Sequence, residues 1–271
     1  MGFDGTEPAF VAVDWVAERA ARVPSRVELL RVEPEDLLVE DTEILAFSQA
    51  EGRIHDLAPE TDVSSRRVGG HVPDALLEAG SRADLLVIGA HLGRPVRAAL
   101  TGWRPLRTLA RSVVPTVVVP GDWNGAEGPI LVGVDDDDSS DAAIAFAASE
   151  ASLAGADLTL LHAWLMPAPT LEGPVALLAS PMDVKAAHRR ILDDARSRVA
   201  VAHPGVTVKA ILVQDNPPSA LLHAAAGTSL LVLGTHHRGI MAGAFLGSVA
   251  LDTVPLSPVP VCVVPTHVAG S

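Results

Sequence analysis

Two segments of this chain occur twice at one constant spacing, and that duplication narrows the possible folds more than any other feature. Residues 83–90 return as 228–235, with Leu85-Leu86-Val87 set against Leu230-Leu231-Val232, and residues 114–120 return as 259–265, with Val117-Val118-Val119 set against Cys262-Val263-Val264. Both pairs lie 145 positions apart. A single offset shared by separated segments marks a duplicated architecture, so each half must bury the same set of apolar strands in the same arrangement. Nearer the start the offset is 131, matching Asp4 with Asp135, Trp15 with Phe146 and Val32 with Ala163. The 14-residue difference falls between the second and third strands, where the first half has the shorter connection.

The second half carries the clearer pattern. Residues 130–134 form an apolar run that ends at Asp135, and a helix is expected from 139 or 140 to 154, stopped by Gly155. A strand over 158–164, a Pro-rich loop over 166–181, a polar helix over 184–202 and a strand over 206–213 follow. Asn216 before Pro217 reads as the cap of a short helix through 225. The unit closes with a strand over 230–233, a glycine-bearing loop, a helix over 248–255 and a strand over 259–264. Strands that are apolar along their length and alternate with helices imply right-handed crossovers and a parallel sheet covered on both faces. The expectation is α/β, with two tandem doubly wound five-stranded parallel-sheet domains. We place them at 1–120 and 129–271, joined by a Gly- and Asn-containing linker, 121–128, read as a flexible surface turn. Only Met1, Gly2 and Phe3 precede Asp4, so the first strand of the first half is expected to be truncated, with the native start upstream or Met1 standing for an ordinary strand residue.

A formal net charge of -13 argues against nucleic acid and against anionic membranes, since both are held chiefly by Lys and Arg. No apolar run reaches the roughly 18 residues of a membrane span. The first residues do not pattern as a secretory signal, and the single cysteine, Cys262, forms no internal disulfide, so a cytoplasmic setting is the expectation. A small anion is still compatible, because helix starts and glycine-rich backbone hold phosphate without a basic surface.

The segment from Gly234 to Val249 contains Gly239, Gly243 and Gly247 and joins a strand to a helix. Glycines let backbone N–H groups approach an anion closely, and Gly247-Ser248 adds a hydroxyl at a helix start. By itself the same pattern is equally compatible with packing alone. In a doubly wound sheet, ligands lie beyond strand C-termini where the strand order reverses, which makes Asp135, Ala163 and the Gly234 loop candidate neighbours. Other features carry less. Asp135 to Asp138 are consecutive and diverge in direction at a helix start, so they are not read as a metal site. His236-His237 lacks the spacing of zinc ligands, His162 reads as a packed or hydrogen-bonded core histidine, and Cys262 reads as a buried inert thiol. No nucleophile and base stand out for hydrolysis.

The whole second half resembles the universal stress protein family: a first strand ending in Val134-Asp135, an alanine-rich helix, a strand with Leu161-His162, the glycine loop, and Val259-Pro260-Val261-Cys262-Val263-Val264-Pro265. The family's nucleotide motif is Gly, two residues, Gly, nine residues, Gly, then Ser or Thr. Gly234, Gly247 and Ser248 match it, whereas His237 stands at the second glycine. The resemblance implies ATP with magnesium on its phosphates as the ligand. Asp135 and backbone near Ala163 would meet the adenosine part, beside Gly133 and Val134, with Val213 as a wall. Gly234, Thr235, Arg238, Gly239, Gly247, Ser248 and Val249 would surround the phosphates. It also implies that the halves are related by a pseudo-twofold axis and pair through their last strands, 117–119 against 262–264, and that the protein serves stress signalling, as a homodimer or with a protein partner. In the first half Gly89 and Gly102 keep the motif spacing, but Leu92 and Trp103 replace its second glycine and its hydroxyl, so the first site is not expected to bind ATP in the family manner. A nucleotide-free scaffold with both sites degenerate, and slow ATP hydrolysis, remain as competing readings.

Overall fold

In the computed structural model, residues 1–33, 41–92, 104–125, 127–166, 180–235 and 246–266 are described. The first half contains α1 (Glu7–Ala20), β1 (Arg26–Glu33), α2 (Asp41–Leu57), β2 (Asp62–Gly69), α3 (Asp74–Gly80), β3 (Leu86–Ala90), α4 (Arg104–Arg111) and β4 (Thr116–Pro120). The second half contains β5 (Ile130–Gly133), α5 (Asp138–Ala154), β6 (Leu158–Trp164), α6 (Pro181–Ala202), β7 (Val208–Gln214), α7 (Pro217–Ala225), β8 (Leu230–Gly234), α8 (Ser248–Thr253) and β9 (Val261–Val264).

Seven strands form one sheet in the order β3-β4-β9-β8-β5-β6-β7, parallel within each half. β5 lies between β6 and β8, and its residues Ile130, Leu131 and Val132 are buried, as a central strand covered by helices on both faces requires. From β5 the chain builds outward in one direction through β6 and β7, then crosses back to build β8 and β9. The strand order therefore reverses between β5 and β8.

The first half repeats this plan with its first strand reduced to a short bridge. Gly2 N donates to Val87 O at 2.9 Å and Phe3 N to Leu30 O at 2.8 Å, while Leu30 N donates to Met1 O at 2.8 Å. Residues 1–3 thus link the β1–β2 pair to β3, in the place that β5 holds between β6 and β8. Beside them, flanked by Val27 and Leu85, is a cleft of about 920 Å³. The Met1 ammonium donates to Glu28 O at 2.5 Å, and burial lowers its pKa to about 6.

The halves join through β4 and β9, which run antiparallel with Val117 opposite Cys262, so the last strands meet as expected. Apolar residues of both halves, including Trp15, Val117, Ile144, Leu160 and Cys262, share one core cluster. The linker is less open than its composition indicates. Trp123 is only 9% exposed and packs into that core, because an indole buries a large apolar area wherever a groove admits it. One cap bond and one helix boundary differ from expectation. Asn216 holds the cap position but its side chain makes no cap bond, since Pro218 at the second helical position lacks the N–H that such a cap would reach. The last helix stops at Thr253, after which Pro255 sits in a single tighter turn over 254–256.

Candidate functional site

The reversal of strand order opens a cleft of about 400 Å³ at the C-terminal ends of β5 and β8. Its floor is backbone at Gly133 and Gly234. One side is apolar, formed by Leu161, Ala163, Leu221 and Leu233, and the other is the start of α5, with Asp135, Asp137, Ser139 and Ser140. Gly247, Ser248, Val249 and Ala250 close the third side. The volume falls within the roughly 300–1,000 Å³ typical of small-molecule sites.

The start of α5 is held by a local network. Asp137 caps the helix, its Oδ1 accepting from Ser140 N at 2.9 Å and from the Ser139 hydroxyl at 2.6 Å. Asp135 N donates to the Ser140 hydroxyl oxygen at 2.7 Å, which fixes the turn between β5 and α5. At the far end Gly155 takes φ 63 and stops the helix. Between these ends Ala143, Ala147 and Ala151 are fully buried, so small side chains let α5 lie close on the sheet. Gly234 is where that closeness is greatest: a Cβ there would stand 2.3 Å from the Ser139 carbonyl oxygen. This glycine therefore has a packing requirement in addition to lining the cleft.

Behind the cleft is a polar pair. His162 is 2% exposed, and its Nδ1 lies 2.6 Å from the Val134 carbonyl oxygen, which can only accept. Nδ1 therefore carries a proton, and Nε2 is joined to His188 Nδ1 by a hydrogen bond at 2.8 Å. His188 in turn stacks on Trp164, ring centres 4.9 Å apart at 23°. Burial, and then the neighbouring His162, hold the His188 pKa below its ordinary value, with Asp135 opposing. His188, on α6, is thereby tied to Val134 at the cleft.

The structure brings eight of the sequence-selected residues to the cleft: Gly133, Val134, Asp135, Ala163, Gly234, Gly247, Ser248 and Val249. Two stand aside. Thr235 N donates to Val264 O at 2.9 Å, so this buried residue is turned into the β8–β9 ladder. Val213 is paired with Ala163 across β6 and β7, one strand beyond the cleft. Arg238 and Gly239, with His237, lie outside the described residues. Sequence reading missed Asp137, Ser139, Ser140, Pro217 and Leu221 at the cleft. The Asp-Ser pairing before an alanine-rich run was a usable capping signal for the first three. His188 was also missed, although it shares a helical stripe with the buried Leu192, Ala195 and Val199. Cys262 is buried as expected, and burial, then Glu150, push its thiol pKa well above the ordinary value.

The corresponding corner of the first half is built otherwise. Arg31, at the position of His162, donates to Asp4 O at 3.0 Å and to Glu33 Oε1 at 2.6 Å, and Arg67 also pairs with Glu33. The Asp4 carboxylate accepts from Thr6 N at 3.0 Å and from the Thr6 hydroxyl at 2.6 Å. Leu92, in place of the motif glycine, packs against the core cluster on that side of the sheet. Gly102 and Trp103 lie outside the described residues.

A doubly wound α/β sheet with a cleft at its switch point defines the class of protein. Within that class, the universal stress protein family model matches residues 128–265. A universal stress protein of Mycobacterium tuberculosis is 27% identical over 302 aligned residues, covering 97% of this chain and 93% of the relative. A universal stress protein structure from Archaeoglobus fulgidus superposes with a TM-score of 0.67 at 16% identity, covering 98% of this chain and 97% of that one. A universal stress protein solved in complex with cAMP matches 52% of the chain and 99% of its own, at 26% identity and a TM-score of 0.41. The chain belongs to the universal stress protein family. No helix among the described residues is long and apolar enough to cross a membrane.

Proposed function

We propose that the chain binds an adenine nucleotide, ATP, in the cleft between β5 and β8, and that occupancy of this cleft serves regulation. The observation that carries the reading is the convergence of eight motif and strand-end residues, distant in sequence, on one cleft at the switch point. Its apolar wall suits a base and ribose, and the starts of α5 and α8 suit negative charge. The charged residues among the described lining are Asp135 and Asp137, so phosphates require Arg238, backbone N–H groups and a cation. Magnesium fits as a passenger on the phosphates. Its preferred oxygen donors are present in Asp135, yet no cluster of three or more acidic, His or Cys ligands forms among the described residues to hold it unaided. In this reading 129–271 is the nucleotide domain, 121–128 the linker, and 1–120 a structural partner whose own corner is filled by the Arg31–Glu33 pair and Leu92.

The acidic lining favours one alternative, a nucleotide-free interaction module. Isothermal titration separates the two. One ATP per chain, with binding lost in Gly247→Val and Asp135→Ala, supports the proposal; two equivalent sites per chain, or no binding by wild type, overturns it. Saturating ATP must also raise the wild-type melting temperature if the native state binds it.

A further inference from the structure

The two halves meet on a local twofold axis, and the residues on that axis differ between them. Val117 faces Cys262 across the β4–β9 ladder, and these positions are 145 apart, the offset that relates the ends of the two halves. Each is therefore opposite its own counterpart. On either side the pairs Thr116 with Val263 and Val118 with Val261 are exchanged by the same symmetry. A second self-matched pair lies nearby. Arg19 on α1 and Glu150 on α5 are 131 apart, the offset that relates the beginnings of the halves. Their contact is bidentate, Nε to Oε2 at 2.8 Å and Nη2 to Oε1 at 2.6 Å, with Nη1 also donating to the Ser25 hydroxyl oxygen at 3.1 Å. The side chains are 22% and 11% exposed.

A residue on a true twofold axis meets an identical copy of itself, so a charge placed there repels its partner. Two second halves joined through β9 would set Glu150 against Glu150 in a mostly dry contact, and two first halves would do the same with Arg19. Like charges so placed disfavour a wrong pairing strongly, whereas the opposite pair present here satisfies both groups. We propose that the Arg19–Glu150 pair determines which halves associate, admitting a first half against a second half and rejecting either half against its own kind. The seam between β4 and β9 is then an interface used within one chain, and the partner it fits is the complementary half of this protein. This inference is independent of the nucleotide reading, because neither residue lines the cleft.

The test uses the full chain. Arg19→Glu and Glu150→Arg are each refolded alone and as an equimolar mixture, with mass read by light scattering and native mass spectrometry. Alone, each variant sets like charges on the axis and should melt roughly 5–15 °C lower than wild type. In the mixture, substituted position 19 of one chain can meet substituted position 150 of the other, while native Arg19 meets native Glu150. A 1:1 dimer with exchanged halves is expected from the mixture and from neither variant alone. The reversed chain carrying both substitutions should be monomeric and recover most of the lost melting temperature. Where a single variant does not fold, co-expression of the two replaces refolding, and a soluble 1:1 dimer is the expected product. Wild-type melting of both variants, a mixture that yields only separate monomers, or failure of the reversed chain and of co-expression together would overturn the proposal.

Discussion

Replacing Gly234 by alanine sets a methyl carbon 2.3 Å from the Ser139 carbonyl oxygen, 2.6 Å from its carbon and 3.0 Å from Ser139 Cβ. Ordinary contact begins near 3.4 Å, so α5 and β8 must separate by about 1 Å at their closest point. Backbone on both sides leaves no flexible side chain to yield. Overpacking of this kind costs about 1–3 kcal/mol, which for a chain of this size lowers the melting temperature by roughly 2–10 °C. The displaced segment carries Ser139 and Ser140, so the cleft changes shape with it. Gly89→Ala is the matched control, because its Cβ would lie 1.9 Å from the Pro8 carbonyl oxygen at the equivalent place in the first half. Differential scanning fluorimetry with and without ATP reads both. Gly234→Ala and Gly89→Ala should both melt lower, and only Gly234→Ala should lose the ATP-induced rise. A Gly234→Ala protein with wild-type melting would refute the close-approach reasoning, and one with a full ATP response would refute the link between this contact and the cleft.

Asp137→Ala removes the α5 cap and should cost about 1 kcal/mol, or roughly 2–4 °C, with Asp137→Ser recovering most of it by thermal melting. His188 is held below its ordinary pKa of 6.5, so the unfolded chain binds its proton first as pH falls; the folded state is stabilised fully above about pH 6.5 and loses that margin below it. Melting temperature should accordingly fall from pH 7 to pH 5, and His188→Gln should flatten that slope; an unchanged slope excludes His188 as its source. The Cys262 thiol should resist a thiol-specific chromogenic reagent at pH 8 in native protein and react fully in denaturant.

Much of the architecture was readable because parallel sheets write themselves as short apolar runs between helices. The β5, β6 and β8 positions and the stop at Gly155 followed from local pattern and duplication, and the meeting of the last strands from the family resemblance. The site was readable in part. Asp135, Gly234 and Gly247 could be placed together because the switch-point rule converts strand order into proximity. Thr235 was carried into the site with Gly234, although successive strand residues face opposite ways and its hydroxyl donates to Val264 O instead. Trp123 looked like part of an open linker until the core offered it a groove.

By itself, then, the sequence determined the repeated α/β plan, the strands that must be buried and the glycines that mark the motif, because periodicity, turn residues and spacing are local or translational properties of the chain. The tertiary structure alone decided which side chains share a surface. The relay from Val134 through His162 to His188, and the meeting of Arg19 with Glu150, join residues whose closeness depends on helix packing and on the twofold arrangement of the halves. No local pattern encodes such distances, because they arise only once two cores have been folded and set against each other.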